Sequence, residues 1–212
     1  MTDHFSEAAW DQRYRSRDAL WSGNPNRYLV SEAEGLPPGL ALDVGAGEGA
    51  DAIWLAARGW RVTAVDISSV ALARAAAHAT DRGDEIAGRI EWRHEDLTSS
   101  RPPKTSFDLV SAQYLHLAAA ERSYVFPRLA AAVARGGTLL IVGHHPSDLQ
   151  TSMPRPPLPE RFYTGDDIAA VLDDGEWDIV TNAAPGREVT DPDGNPVTIH
   201  DTVFRARRRM PG

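Results

Sequence analysis

The stretch Ala41-Leu42-Asp43-Val44-Gly45-Ala46-Gly47-Glu48-Gly49-Ala50 constrains this chain more than any other. Its apolar residues, interrupted only by Asp43, read as a buried strand of a parallel sheet. The glycines that follow permit a sharp turn and a close backbone approach to a ligand. A helical run then begins at Ala50, so its first free N–H groups face the turn. A second strand pattern, Arg61 to Val65, ends on Asp66. That acid lies about 20 residues past the glycines, the separation at which a carboxylate takes ribose hydroxyls at the end of a second strand. The two segments together predict an adenosine-bearing ligand at the carboxyl ends of adjacent strands.

The rest of the chain alternates strand and helix patterns. Strands are expected at 40–44, 61–65, 89–94, 107–112 and 138–142. Helices are expected at 50–58, 69–82 and 119–135, stopped by Gly59, Gly83 and Gly136-Gly137. Ahead of them come helical patterns over 6–20, with Ser6 as N-cap, and over 26–34. Thr164 or Asp166 caps a later helix that runs to about 173. Two last strands, near 177–182 and 197–206, are joined through Asp191-Pro192-Asp193-Gly194-Asn195, a tight-turn signal that makes them an antiparallel pair. Strands that alternate with helices run parallel with right-handed crossovers. The fold class is therefore α/β, a doubly wound sheet ending in a hairpin. Residues 146–160 hold five prolines, and 146–163, with Met153, Phe162 and Tyr163, reads either as a lid over a small apolar substrate or as a stiffened connection.

Composition removes several function classes. The net charge of −8 opposes a general nucleic-acid binder, which presents a basic face. Arg205-Ala206-Arg207-Arg208-Arg209 is the exception, and it reads as the last strand running out into solvent. No cysteine is present, which excludes disulfides, cysteine-based zinc sites and thiol catalysis. Lys104 is the only lysine and follows no glycine loop, so there is no Walker A motif. No tyrosine has a lysine four residues later, so the Tyr-x-x-x-Lys pair of short-chain dehydrogenases is missing. The acidic N-terminus lacks an apolar signal core and no stretch is long enough to span a membrane, which gives the expectation of a cytoplasmic protein. Its 212 residues are read as one domain, 1–212, with 1–36 as an N-terminal helical cap.

Two cofactors compete for the glycine turn. Gly45 to Ala50 satisfies the G-x-G-x-x-A dinucleotide fingerprint, which keeps a nicotinamide-dependent oxidoreductase open. A non-catalytic cofactor-binding protein is the other alternative. Three features favour S-adenosyl-L-methionine. Asp43 two residues before the glycines suits a zwitterionic, sulfonium-bearing amino acid better than a pyrophosphate. Glu95-Asp96-Leu97 ends the third strand, where a carboxylate can accept the adenine amino group. The closing antiparallel pair is the third.

On these residues, segment 40–117 resembles the class I S-adenosylmethionine-dependent methyltransferases. Asp43-Val44-Gly45-Ala46-Gly47-Glu48-Gly49 is similar to their first motif and Val65-Asp66-Ile67-Ser68 to their ribose motif. Glu95-Asp96-Leu97 is similar to the adenine motif, and Phe107-Asp108-Leu109-Val110-Ser111-Ala112-Gln113 to the fourth. The resemblance implies a seven-stranded Rossmann-like sheet, order 3-2-1-4-5-7-6, with the last strand antiparallel. It implies a cofactor set of Asp43, Gly45, Ala46, Gly47, Asp66, Ile67, Asp96, Leu97 and Gln113. Trp10-Asp11-Gln12-Arg13-Tyr14 with Leu20-Trp21-Ser22-Gly23 is further similar to the entry of the tellurite-resistance and thiopurine methyltransferase group. There, N-terminal aromatics cover the cofactor, which implicates Trp10, Tyr14 and Trp21; an aromatic face also attracts a sulfonium cation.

The expected reaction is in-line methyl transfer to a small molecule, with no nucleic-acid or membrane partner and a monomeric or homodimeric protein. His116, His144 and His145 follow strands four and five and are the candidates for a general base or substrate contact. A metal shared with Asp148 is disfavoured, because adjacent histidines on an extended chain point to opposite sides. Ser111-Ala112-Gln113-Tyr114 lacks the Asn/Asp-Pro-Pro-Tyr/Phe form of enzymes that methylate amino groups of DNA and protein.

Overall fold

The structure is a computed structural model that describes residues 5–155, 158–173 and 175–211. Strands alternate with helices along the first part of the chain. The first are β1 (Leu40–Val44), β2 (Arg61–Asp66), β3 (Ile90–His94) and β4 (Phe107–Gln113). Next come β5 (Val133–His144), β6 (Trp177–Ala183), β7 (Gly186–Thr190) and β8 (Pro196–Arg208). The helices are α1 (Glu7–Arg15), α2 (Arg27–Ala33), α3 (Ala50–Ala57), α4 (Ser69–Asp81), α5 (Asp84–Ala87), α6 (Ala119–Ala132) and α7 (Gly165–Ala169).

The sheet order is β3-β2-β1-β4-β5-β8-β6, with β7 hydrogen-bonded to β8 off the main path. Strands β3 to β5 pair in parallel through β1 and β2, and β8 is antiparallel to β5 and β6. The expected order therefore holds, with one extra strand. Both faces of the sheet are covered, as a parallel sheet requires. Leu42, Val110, Leu139 and Ile141 pack on one side with Phe126 and Leu129 of α6 and Ile168 of α7. Ala41, Leu109, Leu140 and Val142 pack on the other with Leu29 of α2 and Leu55 of α3. This alternation is the period of two along a strand.

Four elements differ from expectation, the simplest being the helix capped by Thr164, which stops at Ala169 rather than near 173. The 119–135 helix stops at Ala132, and β5 starts at Val133, paired with Phe107. Gly136 and Gly137 form an irregularity inside β5 rather than a helix end; a Cβ on Gly137 would lie 3.0 Å from the carbonyl oxygens of Phe107 and Asp108. An alanine-rich run carries little strand signal, so pairing with β4 decides it. The N-terminal helix is shorter than 6–20, ending at Arg15. The turn at 191–195 joins β7 to β8, while β6 pairs with the far half of β8. Gly186-Arg187-Glu188-Val189-Thr190 holds one large apolar residue, so periodicity had nothing to register there.

The arginine-rich end is part of the sheet and is matched by acids. Arg205 stands 3.5 Å from Glu32, Arg208 2.9 Å from Glu176 and Arg209 2.8 Å from Asp178. No helix of the described residues is long and apolar enough to cross a membrane.

The turn after β1 tests the packing. Gly49 has φ +85°, and a Cβ there would meet Trp92 Cη2 at 2.7 Å and Ala75 Cβ at 2.8 Å. Gly49→Ala should destabilise the protein by about 2–5 kcal/mol, from left-handed strain plus overpacking. A lowered urea midpoint with an unchanged slope checks this.

Candidate active site

The site begins where the β1–α3 turn folds back on β2. The N–H groups of Gly45 and Ala46 both donate to the Val65 carbonyl, at 2.9 and 3.0 Å. Positive φ at Gly45 and Gly47, +71° and +54°, makes that fold possible. Gly47 N then donates to Asp66 Oδ2 and Ser68 N to Asp66 Oδ1, both at 2.8 Å. Each oxygen keeps a lone pair for a ligand. Burial pushes the Asp66 carboxyl above its usual range, against the pull of those N–H groups.

Two further buried carboxyls lie beside it. Asp43 is 1% exposed, and its Oδ2 has no hydrogen-bond partner among the described residues. Burial, with the charges of Asp51 and Asp66, raises its pKa well above the usual value. Asp51, in the first turn of α3, accepts from Asn26 N at 2.6 Å, and burial brings it to about 6. None of the three is in an ion pair among the described residues. Uncompensated buried carboxyls are costly, and a cationic group fits them.

A cavity of about 840 Å³ extends from this floor along the carboxyl edge of the sheet. Of the residues singled out from sequence, Gly45, Ala46, Gly47, Asp66, Ile67, Asp96, Leu97 and Gln113 line it. Trp10, Tyr14, Trp21, His116 and His144 also line it. Asp43 lies behind the wall rather than in it. Asp96 has a second job, accepting from Thr98 N at 2.8 Å and so capping the turn after β3. His145 is not in the lining. Its Nδ1 lies 2.9 Å from Ser147 Oγ, and its ring packs toward His200, across the strand from His144. Strand alternation separates the two neighbours.

Glu48 fastens the N-terminal cap, a role the sequence reading missed. Its Oε2 accepts from Leu20 N and Trp21 N, each at 3.1 Å, and its Oε1 from Arg74 at 3.0 Å. Arg74 also donates to the Tyr14 carbonyl at 2.7 Å. Asp11 of α1 accepts from Ser68 Oγ at 2.6 Å. These bonds hold Tyr14 and Trp21 over the glycine turn, where Trp21 Nε1 donates to the Tyr14 hydroxyl at 3.1 Å. The Tyr14 oxygen would lie 3.0 Å from a Cβ on Gly47. Only the fold tells Glu48 from an ordinary surface acid.

The far end of the cavity is built by the ends of β4, β5 and β8. Tyr114, at φ +51°, turns the chain from β4 toward His116. Non-glycine residues in that region concentrate at functional sites. The His144 ring lies 4.7 Å from Tyr114 and 5.7 Å from His116. His116 is held down to about 4 by burial and by the charges of His144 and three arginines, so it is neutral at physiological pH. His144 is paired in register with Asp201 of β8. Their Nδ1 and Oδ1 atoms stand 3.8 Å apart, too far for a hydrogen bond but close enough for charge attraction. Asp201 accepts from Arg187 at 3.0 Å and from the Tyr28 hydroxyl at 3.2 Å. Burial would raise its pKa; the pull of His144 and Arg187 prevails and holds it at about 2. Asp201 was legible only as an acid inside an apolar strand pattern.

Residues 41–137 match the family model described as a methyltransferase domain. This segment, which holds the glycine turn, Asp66 and Asp96, is thus similar to methyltransferase domains. Over 128 residues, 59% of the chain, it is 38% identical to uncharacterized methyltransferases of Mycobacterium tuberculosis and Mycobacterium bovis. The match covers 61% of those relatives' own length. Among solved structures, one described under the conversion of a disulfide bond into a thioacetal group during echinomycin biosynthesis superposes with a TM-score of 0.73 at 23% identity, covering 96% of this chain and 91% of the other. TehB from Haemophilus influenzae superposes at 0.69 with 18% identity, covering 96% and 67%. Magnesium protoporphyrin IX methyltransferase from Synechocystis, solved with bound S-adenosylmethionine, does so at 0.59 with 21% identity, covering 85% and 74%. At these identities the structural likeness is one of fold.

Two outcomes follow from the geometry of the site. Glu48→Ala leaves two backbone donors and one guanidinium nitrogen of Arg74 unpartnered; it should destabilise the cap by about 1.5–3 kcal/mol. Hydrogen exchange should then speed up at Leu20 and Trp21 before the sheet opens. For Asp51, a carboxyl raised to about 6 is half protonated near that pH. A cation bound beside it lowers its pKa, so S-adenosylmethionine should release protons on binding near pH 6 and bind more tightly as pH rises through 6. Calorimetry in buffers of different ionisation enthalpy measures this, and Asp51→Asn should abolish it.

Proposed function

We propose that the protein is an S-adenosyl-L-methionine-dependent methyltransferase that methylates a small molecule. The observation that carries this reading is the cavity's composition. One end has a left-handed glycine turn, Asp66 and uncompensated buried carboxyls; the other has aromatic rings and histidines. Its volume of about 840 Å³ lies in the upper range of pockets for single small ligands, leaving room for a cofactor and a modest acceptor.

The cofactor, when bound, supplies a methyl carbon whose bonding pair leaves with a sulfur that already carries positive charge. The protein's task is then alignment and exclusion of water. Gly45, Ala46 and Gly47 admit the methionyl part, and Asp43 with Asp51 provides negative potential for its amino group. Asp66 accepts from the ribose hydroxyls, while Asp96 and the Leu97 amide frame the adenine. Trp10, Tyr14 and Trp21, fastened through Glu48, keep water from the centre. Arg155, Leu158, Arg161 and Phe162 form the wall over the acceptor, anchored by Asp148, which accepts from His200 N at 2.7 Å and from Arg155 at 2.6 Å.

His144 is the residue placed to take a proton from an acceptor that carries one, with Asp201 behind it to stabilise the imidazolium. His116, held neutral, serves as a hydrogen-bond partner. A thiolate or another ionised acceptor needs neither to act as a base.

Asp66→Ala should weaken S-adenosylmethionine binding at least about 30-fold, as expected for losing two hydrogen bonds to a charged group. Calorimetry checks this, and unchanged affinity would reject the cofactor pose. Turnover of methyl-labelled cofactor over thiols, phenols, amines and oxyanions tests the activity. Labelled product from a small acceptor supports the proposal, and silence across the panel counts against it.

A further inference from the structure

A second chamber of about 220 Å³ adjoins the first, sharing Phe5, Trp10, His116, His144 and Arg161 as common walls. Its own lining adds Arg13, Arg155, Leu158 and Phe162. Among the described residues it therefore holds three arginines and no carboxylate. The chain as a whole carries 30 acidic residues against 22 basic ones, so this local excess runs against the composition.

The three arginines are not equally neutralised. Arg155 is paired with Asp148 at 2.6 Å. Arg161 has only Glu121, at 3.9 Å, and donates one Nη to the His116 carbonyl. Arg13 makes no ion pair among the described residues; its guanidinium lies 4.6 Å from the Trp10 ring centre and 5.5 Å from that of Phe5. Arg161 stands 3.9 Å from the same Phe5 ring, so both cations flank one aromatic plate. The Nε atoms of Arg155 and Arg161 are buried with no hydrogen-bond partner. Buried guanidinium donors left unpaired carry a desolvation cost that an anion relieves. His116 reports the same field, since Arg161, Arg13 and Arg155 all help to hold it neutral.

From this geometry we infer that the methyl acceptor is an anionic small molecule with an apolar, ring-sized body. Its negative group is held by Arg13 and Arg161, its body lies against Phe5, Trp10 and Phe162, and its nucleophile faces the His116–His144 junction. This rests on the methyltransferase reading above, because the chamber is an acceptor site only if the cofactor occupies the larger cavity. An arginine fork suits a carboxylate or another planar oxyanion. At about 220 Å³ the chamber suits a group of ring size.

The test uses the full chain loaded with S-adenosylhomocysteine and matched probes that differ in charge: 4-hydroxybenzoate against 4-hydroxybenzamide, and 3-mercaptopropionate against its amide. Calorimetry should show each anion binding at least about 10-fold tighter than its neutral partner, the value of a charge-assisted contact. Arg13→Gln should remove most of that preference and Arg13→Lys should keep it; Arg161→Gln is the second, independent variant. Equal affinity for anion and amide, no anion binding at millimolar concentration, or a preference intact in both glutamine variants overturns the inference. Failure of the wild-type chain to bind S-adenosylhomocysteine would instead strike the cofactor reading, and is read in the first titration.

Discussion

The Asp66 carboxylate is the tie on which the carboxyl edge of this sheet depends. It ends β2, yet it accepts from Gly47 in the β1–α3 turn and from Ser68 at the start of α4. Two crossovers are thereby fixed to one side chain. Ser68 in turn donates to Asp11, so the N-terminal helix hangs on the same chain of bonds. Without that tie the glycine turn loses its stop, and the cap loses the surface on which it rests. Burial makes the arrangement expensive for a charge, which is the usual condition of a group poised for a polar ligand.

Around that tie the cavity is electrically polarised. Asp43, Asp51 and Asp66 gather at the glycine turn, while Arg13, Arg155 and Arg161 gather around His116. The aromatic cap lies between, and His144 with Asp201 stands at the boundary. A cationic methyl donor and an anionic acceptor would each find the complementary end. Electrostatic complementarity of this kind sets orientation and rejects wrong partners more than it adds affinity. The same partition would let an acidic chain serve an acidic substrate.

Several features were legible because local chemistry forced them. Gly45, Gly47 and Gly49 all take positive φ, a demand few residues other than glycine meet. The inner parallel strands β1, β2, β4 and β5 read as largely apolar runs because both of their faces are covered. Asp66 stood out as an acid ending such a run. Other features had no local signature. Val133 belongs to a strand only because Phe107 pairs with it. β7 exists because the first half of β8 overhangs the main sheet and needs a partner. His144 and His145 are chemically alike in sequence, and the strand's pleat alone sends one to the cavity and the other to Ser147.

By itself, then, the amino-acid sequence determined the parallel α/β core, the glycine turn and the acid that faces it, because backbone sterics and strand periodicity act over a few neighbouring residues. The tertiary structure alone decided which charges meet. Glu48 grips a cap 27 residues before it, Asp201 backs His144 from across the sheet, and arginines from α1 and from the proline-rich segment converge on one chamber. Those pairings are set by how loops from distant strands pack along a single edge, and no local pattern of residue types encodes that distance.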